Sequence, residues 1–178
     1  MPHVLSMTET ELIKACVSND RLAQKTLYDK YARAMYTLAY RITGDFALAE
    51  DILQDAFVKV FRNLDRFRQE STLGAWIKTI VLRTALSQIK KQPPTETLEP
   101  SHTEGMIDWG NHLDSEYLEK AIKNLPEGYR AVFVLIEVEG YSHKEVGQLL
   151  GISEGTSKSQ LFHAKKRLRE SITKQKDW

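Results

Sequence analysis

A single cysteine, Cys16, occurs in the 178 residues of the chain. One thiol forms no internal disulfide and cannot build a structural zinc site alone, which points to a reducing compartment. No apolar run approaches the roughly 20 residues that cross a bilayer, so no membrane insertion is expected. Residues 1–12, with Thr8, Glu9 and Glu11, lack the basic-then-apolar order of a secretory leader, whether the chain starts at Met1 or Met7. A soluble, cytoplasmic protein is expected. The five histidines (His3, His102, His112, His143 and His163) show no metal-ligand spacing, and no paired carboxylates or nucleophile motif stand out. GISEGTSK at 151–158 lacks the adjacent Gly-Lys of a phosphate-binding loop. No catalytic residue, metal, cofactor or small-molecule substrate is therefore expected. Net charge is nearly absent as well, with 25 basic against 24 acidic side chains. At 42% hydrophobic and 28% charged residues, the chain is neither wholly disordered nor collagen-like.

Dividing the chain makes the neutral total informative. Residues 1–92 hold 14 basic and 10 acidic side chains, net +4. Residues 93–116 hold six acidic and no basic ones, net −6, and residues 117–178 hold 11 basic and eight acidic, net +3. Within the last part, residues 155–176 carry seven cations against Glu170 alone. The acidic strip opens on Pro93 and Pro94, which remove helical donors and bias the preceding residue away from the helix. Its few apolar residues cannot offset the entropy of ordering it. The expected organisation is two small bodies, 7–92 and 116–174, joined by an acidic flexible linker over 93–115.

Helical periodicity runs nearly throughout. Thr8 and Glu11 have the spacing of a capping box, and Leu12, Ile13, Cys16 and Val17 follow on one face. Leu27, Tyr31, Met35, Leu38 and Ile42 mark a second helix over 20–42, which Gly44 can end while Asp45 caps the next. Ile52, Leu53, Ala56, Phe57, Val60, Phe61 and Leu64 form an apolar stripe over 49–64, and a fourth helix is expected over 73–91. After the strip, a short helix through Leu118, Ala121, Ile122 and Leu125 stops near Pro126. Residues 131–138 (AVFVLIEV) are rich enough in β-branched side chains for a strand, but no partner strand exists, so they are read as helix. The fold class is all-α, as two small helical domains.

The most informative stretch is 141–172. Ser142 and Glu145 form a second capping box before a helix that would bury Val146, Leu149 and Leu150. Gly151 suits a left-handed turn, Ile152 a plug, and Ser153 the cap of a further helix, which is the grammar of a helix-turn-helix. That helix would bury Leu161, Leu168 and Ile172 and leave Thr156, Lys158, Ser159, His163, Lys166 and Arg167 largely outward. Hydroxyls and cations near its start suit a major-groove reader, and the later cations suit phosphates. A solvated helical hairpin with a charged outer face is the plainer alternative. In the first body, Phe67, Arg68, Gln69, Glu70, Ser71 and Thr72 separate two helices, and Trp76, Lys78, Arg83, Lys90 and Lys91 follow. Aromatic rings beside cations are what unstacked bases need, although residues such as Phe67 and Trp76 are individually more often core than base platforms.

AEDILQDAFVKVFRNLDRF (49–67), STLGAWIKTIVLRTAL (71–86) and LPEGYRAVFVLIEVEGYSHKEVGQLLGISEGTSKSQLFHAKKRL (125–168), in that order, resemble the bacterial extracytoplasmic-function (group IV) sigma factors of RNA polymerase. The resemblance spans about 10–92 and 115–173. It implies a sigma-2-type domain, then a sigma-4-type domain, in a dissociable subunit that directs core polymerase to promoter DNA and helps open it. Asp51, Gln54, Asp55, Lys59 and Arg62 would contact the largest subunits of the core enzyme. Residues 67–72 with Trp76, Lys78, Arg83, Ser87 and Lys90 would engage the minus-ten element, with one base flipped into the loop. Ser142, His143, Thr156, Lys158, Ser159, Phe162, His163, Lys166 and Arg167 would meet the minus-thirty-five element. An anti-sigma factor is a further partner that the resemblance implies. Arg83, Ser87, Ser157, Gln160 and His163 depart from the family's usual residues, which leaves the promoter sequence open. Two other classes fit the residues alone. One is a helical adaptor or antagonist working through the 51–62 face, and the other is a helix-turn-helix regulator that acts without polymerase.

Overall fold

The structure, a computed structural model, describes residues 7–91 and 115–176, without the side chains of 115–117 and 174–176. Residues 93–114 of the expected linker lie outside the described residues. The described residues form eight α-helices and no strand: α1 (Glu9–Val17), α2 (Arg21–Thr43), α3 (Phe46–Asn63), α4 (Leu73–Ile89), α5 (Ser115–Lys123), α6 (Glu127–Phe133), α7 (His143–Leu150) and α8 (Glu154–Lys176). The chain divides into two compact units, Met1–Tyr40 with Asp45–Ala85, and Arg41–Gly44 with Leu86–Trp178.

In the first unit, local chemistry fixes the helix ends. Thr8 Oγ1 accepts from the Glu11 amide, and the Glu11 carboxylate accepts from the Thr8 amide at 2.8 Å, the reciprocal box that the spacing predicts. Asn19 takes a left-handed φ of 63° after α1, and Asp20 Oδ1 accepts from the amides of Leu22 and Ala23 to start α2. Asp45 Oδ1 accepts from the Leu48 amide at 2.8 Å and caps α3. The apolar stripe of α3 is buried at Ile52, Leu53, Ala56, Phe57 and Val60, and Leu64 joins it from a short 3-10 turn, Leu64–Arg66. Leu27, Leu73, Ile77 and Val81 close the same core, each such side chain contributing about 1.5–3 kcal/mol by leaving water. Val17 departs from expectation. It is 42% exposed, because α1 ends there and Cys16 and Leu12 already fill the inward positions. Burial, and then Asp20, push the Cys16 thiol up to about 11, so it stays protonated and inert.

The second unit is organised around α8, which packs on α5, α6 and α7. Residues 131–138 are helical, as expected, but not uniformly α. From Val134 to Val138 the helix widens to a π turn, in which the Glu139 amide donates to the Val134 carbonyl at 3.0 Å. Val132, Val134 and Leu135 are fully buried there, which explains a strand-like composition inside a helix. Arg130 is buried and donates from Nη1 to the carbonyls of Lys123 (2.8 Å) and Leu125 (3.1 Å), satisfying the end of α5.

Candidate nucleic-acid interface

The helix-turn-helix forms as its spacing predicts. Ser142 Oγ accepts from the Glu145 amide, and the Glu145 carboxylate accepts from the Ser142 amide (2.8 Å) and hydroxyl (2.7 Å). The hydrogen bonds from Ser142 hold the Glu145 carboxyl below its usual range. Gly151 ends α7 in the left-handed conformation, φ 70°, and its amide donates to the Gly147 carbonyl. Gly147 itself is fixed by proximity, since a Cβ there would lie 2.9 Å from the Ile152 carbonyl oxygen. Ser153 Oγ accepts from the Thr156 amide at 2.9 Å and starts α8.

α8 turns Ser157, Leu161, Ala164 and Leu168 into the core and leaves Lys158, Lys166, Arg167 and Arg169 exposed, with Thr156 and Phe162 half-buried. Two residues expected outward are not. Ser159 is buried and its hydroxyl donates to the Thr156 carbonyl at 3.0 Å. His163 is half-buried with a buried Nε2, and its ring stacks on Tyr129 of α6 at 5.8 Å. The cause is that α6 covers a second side of α8, so the buried arc is wider than the stripe facing α7. Arg167 lies over the same Tyr129 ring at 5.6 Å. His143 shares a 2.9 Å hydrogen bond between its Nδ1 and Ser157 Oγ, tying α7 to α8. Burial and then Lys158 and Lys165 hold the imidazole below its usual value, against the opposing pull of Glu154 and Glu137.

Carboxylates accompany two of the α8 cations. Lys158 Nζ is 2.9 Å from Glu154 Oε1, and Lys165 Nζ is 2.5 Å from Glu137 Oε1. Neither carboxylate is among the residues singled out from the sequence, although Glu154 and Lys158 have the i, i+4 spacing that brings them together. The Lys158 ammonium holds the Glu154 carboxyl below its usual range.

Two further exposed surfaces lie on α3 and on the loop before α4. On α3, Asp51, Gln54, Asp55, Lys59 and Arg62 are all exposed, opposite the buried stripe. Lys59 Nζ donates to Thr84 Oγ1 of α4 at 3.0 Å. Val58 is 47% exposed on this polar face. Its signal in the sequence is a valine on the polar side of α3, outside the apolar stripe. The second surface is the loop 67–72. Phe67 and Trp76 come together with ring centroids 5.3 Å apart, both half-buried, while Arg68, Gln69, Glu70, Ser71 and Thr72 are exposed. Gln69 adopts φ 57°, uncommon for a residue with a side chain. Thr72 Oγ1 accepts from the Ala75 amide at 3.2 Å and caps α4. Along α4, Arg83 and Ser87 are exposed and Lys78 is half-buried; Lys90, just past its end, is exposed.

Among the described residues, no group of three or more His, Cys, Asp or Glu is gathered to hold a metal ion, and no helix is long and apolar enough to cross a membrane. Sigma-70 region 2 matches residues 27–93 and sigma-70 region 4 matches residues 115–168. The ECF RNA polymerase sigma factor SigM of Mycobacterium tuberculosis is 30% identical over 164 residues, covering 90% of this chain and 83% of that protein. The ECF RNA polymerase sigma factor SigW of Bacillus subtilis is 28% identical over 184 residues, covering 94% and 98%. Among solved structures, the sigma factor RpoE of Bartonella quintana, in complex with the anti-sigma factor NepR, is similar at 26% identity and a TM-score of 0.55, covering 84% of this chain and 96% of that one.

Proposed function

Because the chain belongs to the ECF RNA polymerase sigma factors, we propose that it is a group IV sigma factor that binds core RNA polymerase and directs promoter recognition, minus-ten strand opening and transcription initiation. It performs no covalent chemistry itself; it lends sequence selectivity to an enzyme that does. The observation that carries this reading is the ordered pair of region matches, each falling on exposed residues suited to its task.

Residues 7–92 form the polymerase and minus-ten domain, 93–115 the acidic linker, and 116–174 the minus-thirty-five domain. The α3 face, with Asp51, Gln54, Asp55, Lys59 and Arg62 around Val58, docks on the largest subunits of the core enzyme. The loop 67–72, with Trp76, Lys78, Arg83, Ser87 and Lys90, holds the opened minus-ten strand. A flipped base loses a few kcal/mol of stacking, and contacts to a loop beside the Phe67–Trp76 pair offset that loss without nucleotide hydrolysis. Ser142, His143, Thr156, Lys158, Phe162, Lys166 and Arg167 meet the minus-thirty-five duplex, while Ser159 and His163 support α8 from behind. The similar sigma factor held by NepR supports an anti-sigma factor as a third partner. Work with polymerase on promoter DNA makes the protein cytoplasmic.

The test is transcription by purified core RNA polymerase on genomic fragments, with 5′ ends mapped with and without the chain. Discrete start sites that depend on the chain are expected. No stable assembly with core and no selectivity would overturn the reading. Asp51→Arg tests the α3 surface, with a loss of about tenfold to a hundredfold in core affinity expected from like-charge juxtaposition.

A further inference from the structure

We infer that Glu154 and Lys158 act as one unit that reads a C·G base pair in the upstream promoter element. The inference rests on the proposed function and extends it to sequence choice.

Both side chains leave the first turns of α8 and are about half exposed, Lys158 54% and Glu154 53%, beside the seam where Ser157 bonds His143 of α7. The start of the second helix of a helix-turn-helix is the part that reaches base edges. The helix dipole favours a carboxylate in this first turn, but beside DNA the phosphates repel it unless it meets a donor. The major groove offers it only the exocyclic amines, N4 of cytosine and N6 of adenine. Glu154 stays ionised, since the Lys158 hydrogen bond and charge, and further off His143 and Lys144, all favour its anion.

The ion pair matches the edge of a base pair with reversed polarity. Lys158 Nζ and Glu154 Oε1 are 2.9 Å apart. Cytosine N4 and guanine O6, joined by an N–H···O hydrogen bond, are also about 2.9 Å apart. Laid edge to edge, the carboxylate accepts from cytosine N4–H and the ammonium donates to guanine O6. The three protons of an ammonium let Lys158 serve Glu154 and guanine together. An A·T pair shows the same donor beside an acceptor. However, its adenine N7 acceptor falls on the carboxylate side and its thymine methyl on the ammonium side, whereas guanine adds N7 where the ammonium is. The unit therefore selects C·G, with cytosine on the Glu154 side.

The test uses the chain assembled with core RNA polymerase and a duplex promoter library randomised across the upstream element, sequenced after selection. The wild type is expected to enrich C·G at one upstream position by about 5- to 150-fold. Glu154→Gln should convert that position to adenine, because a glutamine amide pairs with N6 and N7 together, and leave the other positions as they were. Lys158→Met should lose the guanine requirement there. If Glu154→Gln selects the wild-type sequence, or weakens all positions alike, Glu154 reads no base and the inference fails while the proposed function stands. If the wild-type assembly enriches no upstream motif at all, both fail.

Discussion

The two turns proposed to face DNA rest on opposite backbone choices. The turn between α7 and α8 has glycine at its left-handed residue, Gly151 at φ 70°, and glycine again at Gly147, where the chain passes too close for a Cβ. The loop between the 3-10 turn and α4 reaches a similar φ, 57°, at Gln69, which has a side chain to accommodate. Left-handed geometry is nearly free for glycine and costs other residues about 1–2 kcal/mol. The first turn is thus a relaxed joint that holds two helices at a set angle, as reading a duplex requires. The second is a strained loop between two caps, and under the proposed function a loop that exchanges solvent for a base gains from a conformation already shaped for it.

Substitutions in both turns and a change of pH probe that contrast. Gly147→Ala should have the largest effect, since its Cβ meets the backbone carbonyl of Ile152 rather than a side chain that can swing away. A loss of about 1–3 kcal/mol in the second unit is expected, read by denaturant melts of the full chain; a neutral outcome would show that the turn is not tightly packed. Gly151→Ala should lose about 1–2 kcal/mol through its φ alone, and Gly151→Asn distinctly less, because Asn tolerates the left-handed region.

Acidification should loosen the same joint. The folded state holds the His143 imidazole below the ordinary 6.5, by burial first. The unfolded chain therefore takes up the proton at higher pH, and stability rises with pH across that window. The contribution is complete above 6.5 and disappears as pH falls through the lower folded value. Protection factors of the α7 and α8 amides, corrected for the intrinsic pH dependence of exchange, should fall on that descent in the wild type and not in His143→Gln; equal behaviour of the two would remove His143 from the joint. The smallest effect belongs to Gln69→Gly, which should raise stability by about 0.5 kcal/mol, as strain relief slightly exceeds the added chain entropy. Open-complex formation, followed by permanganate reactivity of the minus-ten strand, should slow in that variant despite its higher stability.

What the sequence disclosed follows from how local each feature is. The boxes at Thr8–Glu11 and Ser142–Glu145, the cap at Asp45 and the left-handed Gly151 need only residues a few positions apart, and all form as their spacing predicts. The α3 stripe is equally readable, because one face meets the core and the other does not. Ser159 and His163 were not legible as inward residues, since their burial comes from elements far away in sequence. Tyr129 of α6 stacks on His163, thirty-four positions later. The π turn at Val134–Val138 was hidden for a similar reason: its register answers to packing around Leu135, not to any local pattern. The Glu154–Lys158 pair was visible as a spacing, but its meaning depends on both side chains lying on the exposed side of α8.

Under the proposed function this chain recognises promoters through polymerase and not alone. The most direct test of this is the anisotropy of a labelled promoter duplex titrated with the chain, with and without core RNA polymerase, against a scrambled duplex. Weak, salt-sensitive binding without preference is expected of the free chain, and promoter-selective binding once core joins the two domains. Selective, tight binding by the chain alone, unchanged by core, would contradict it.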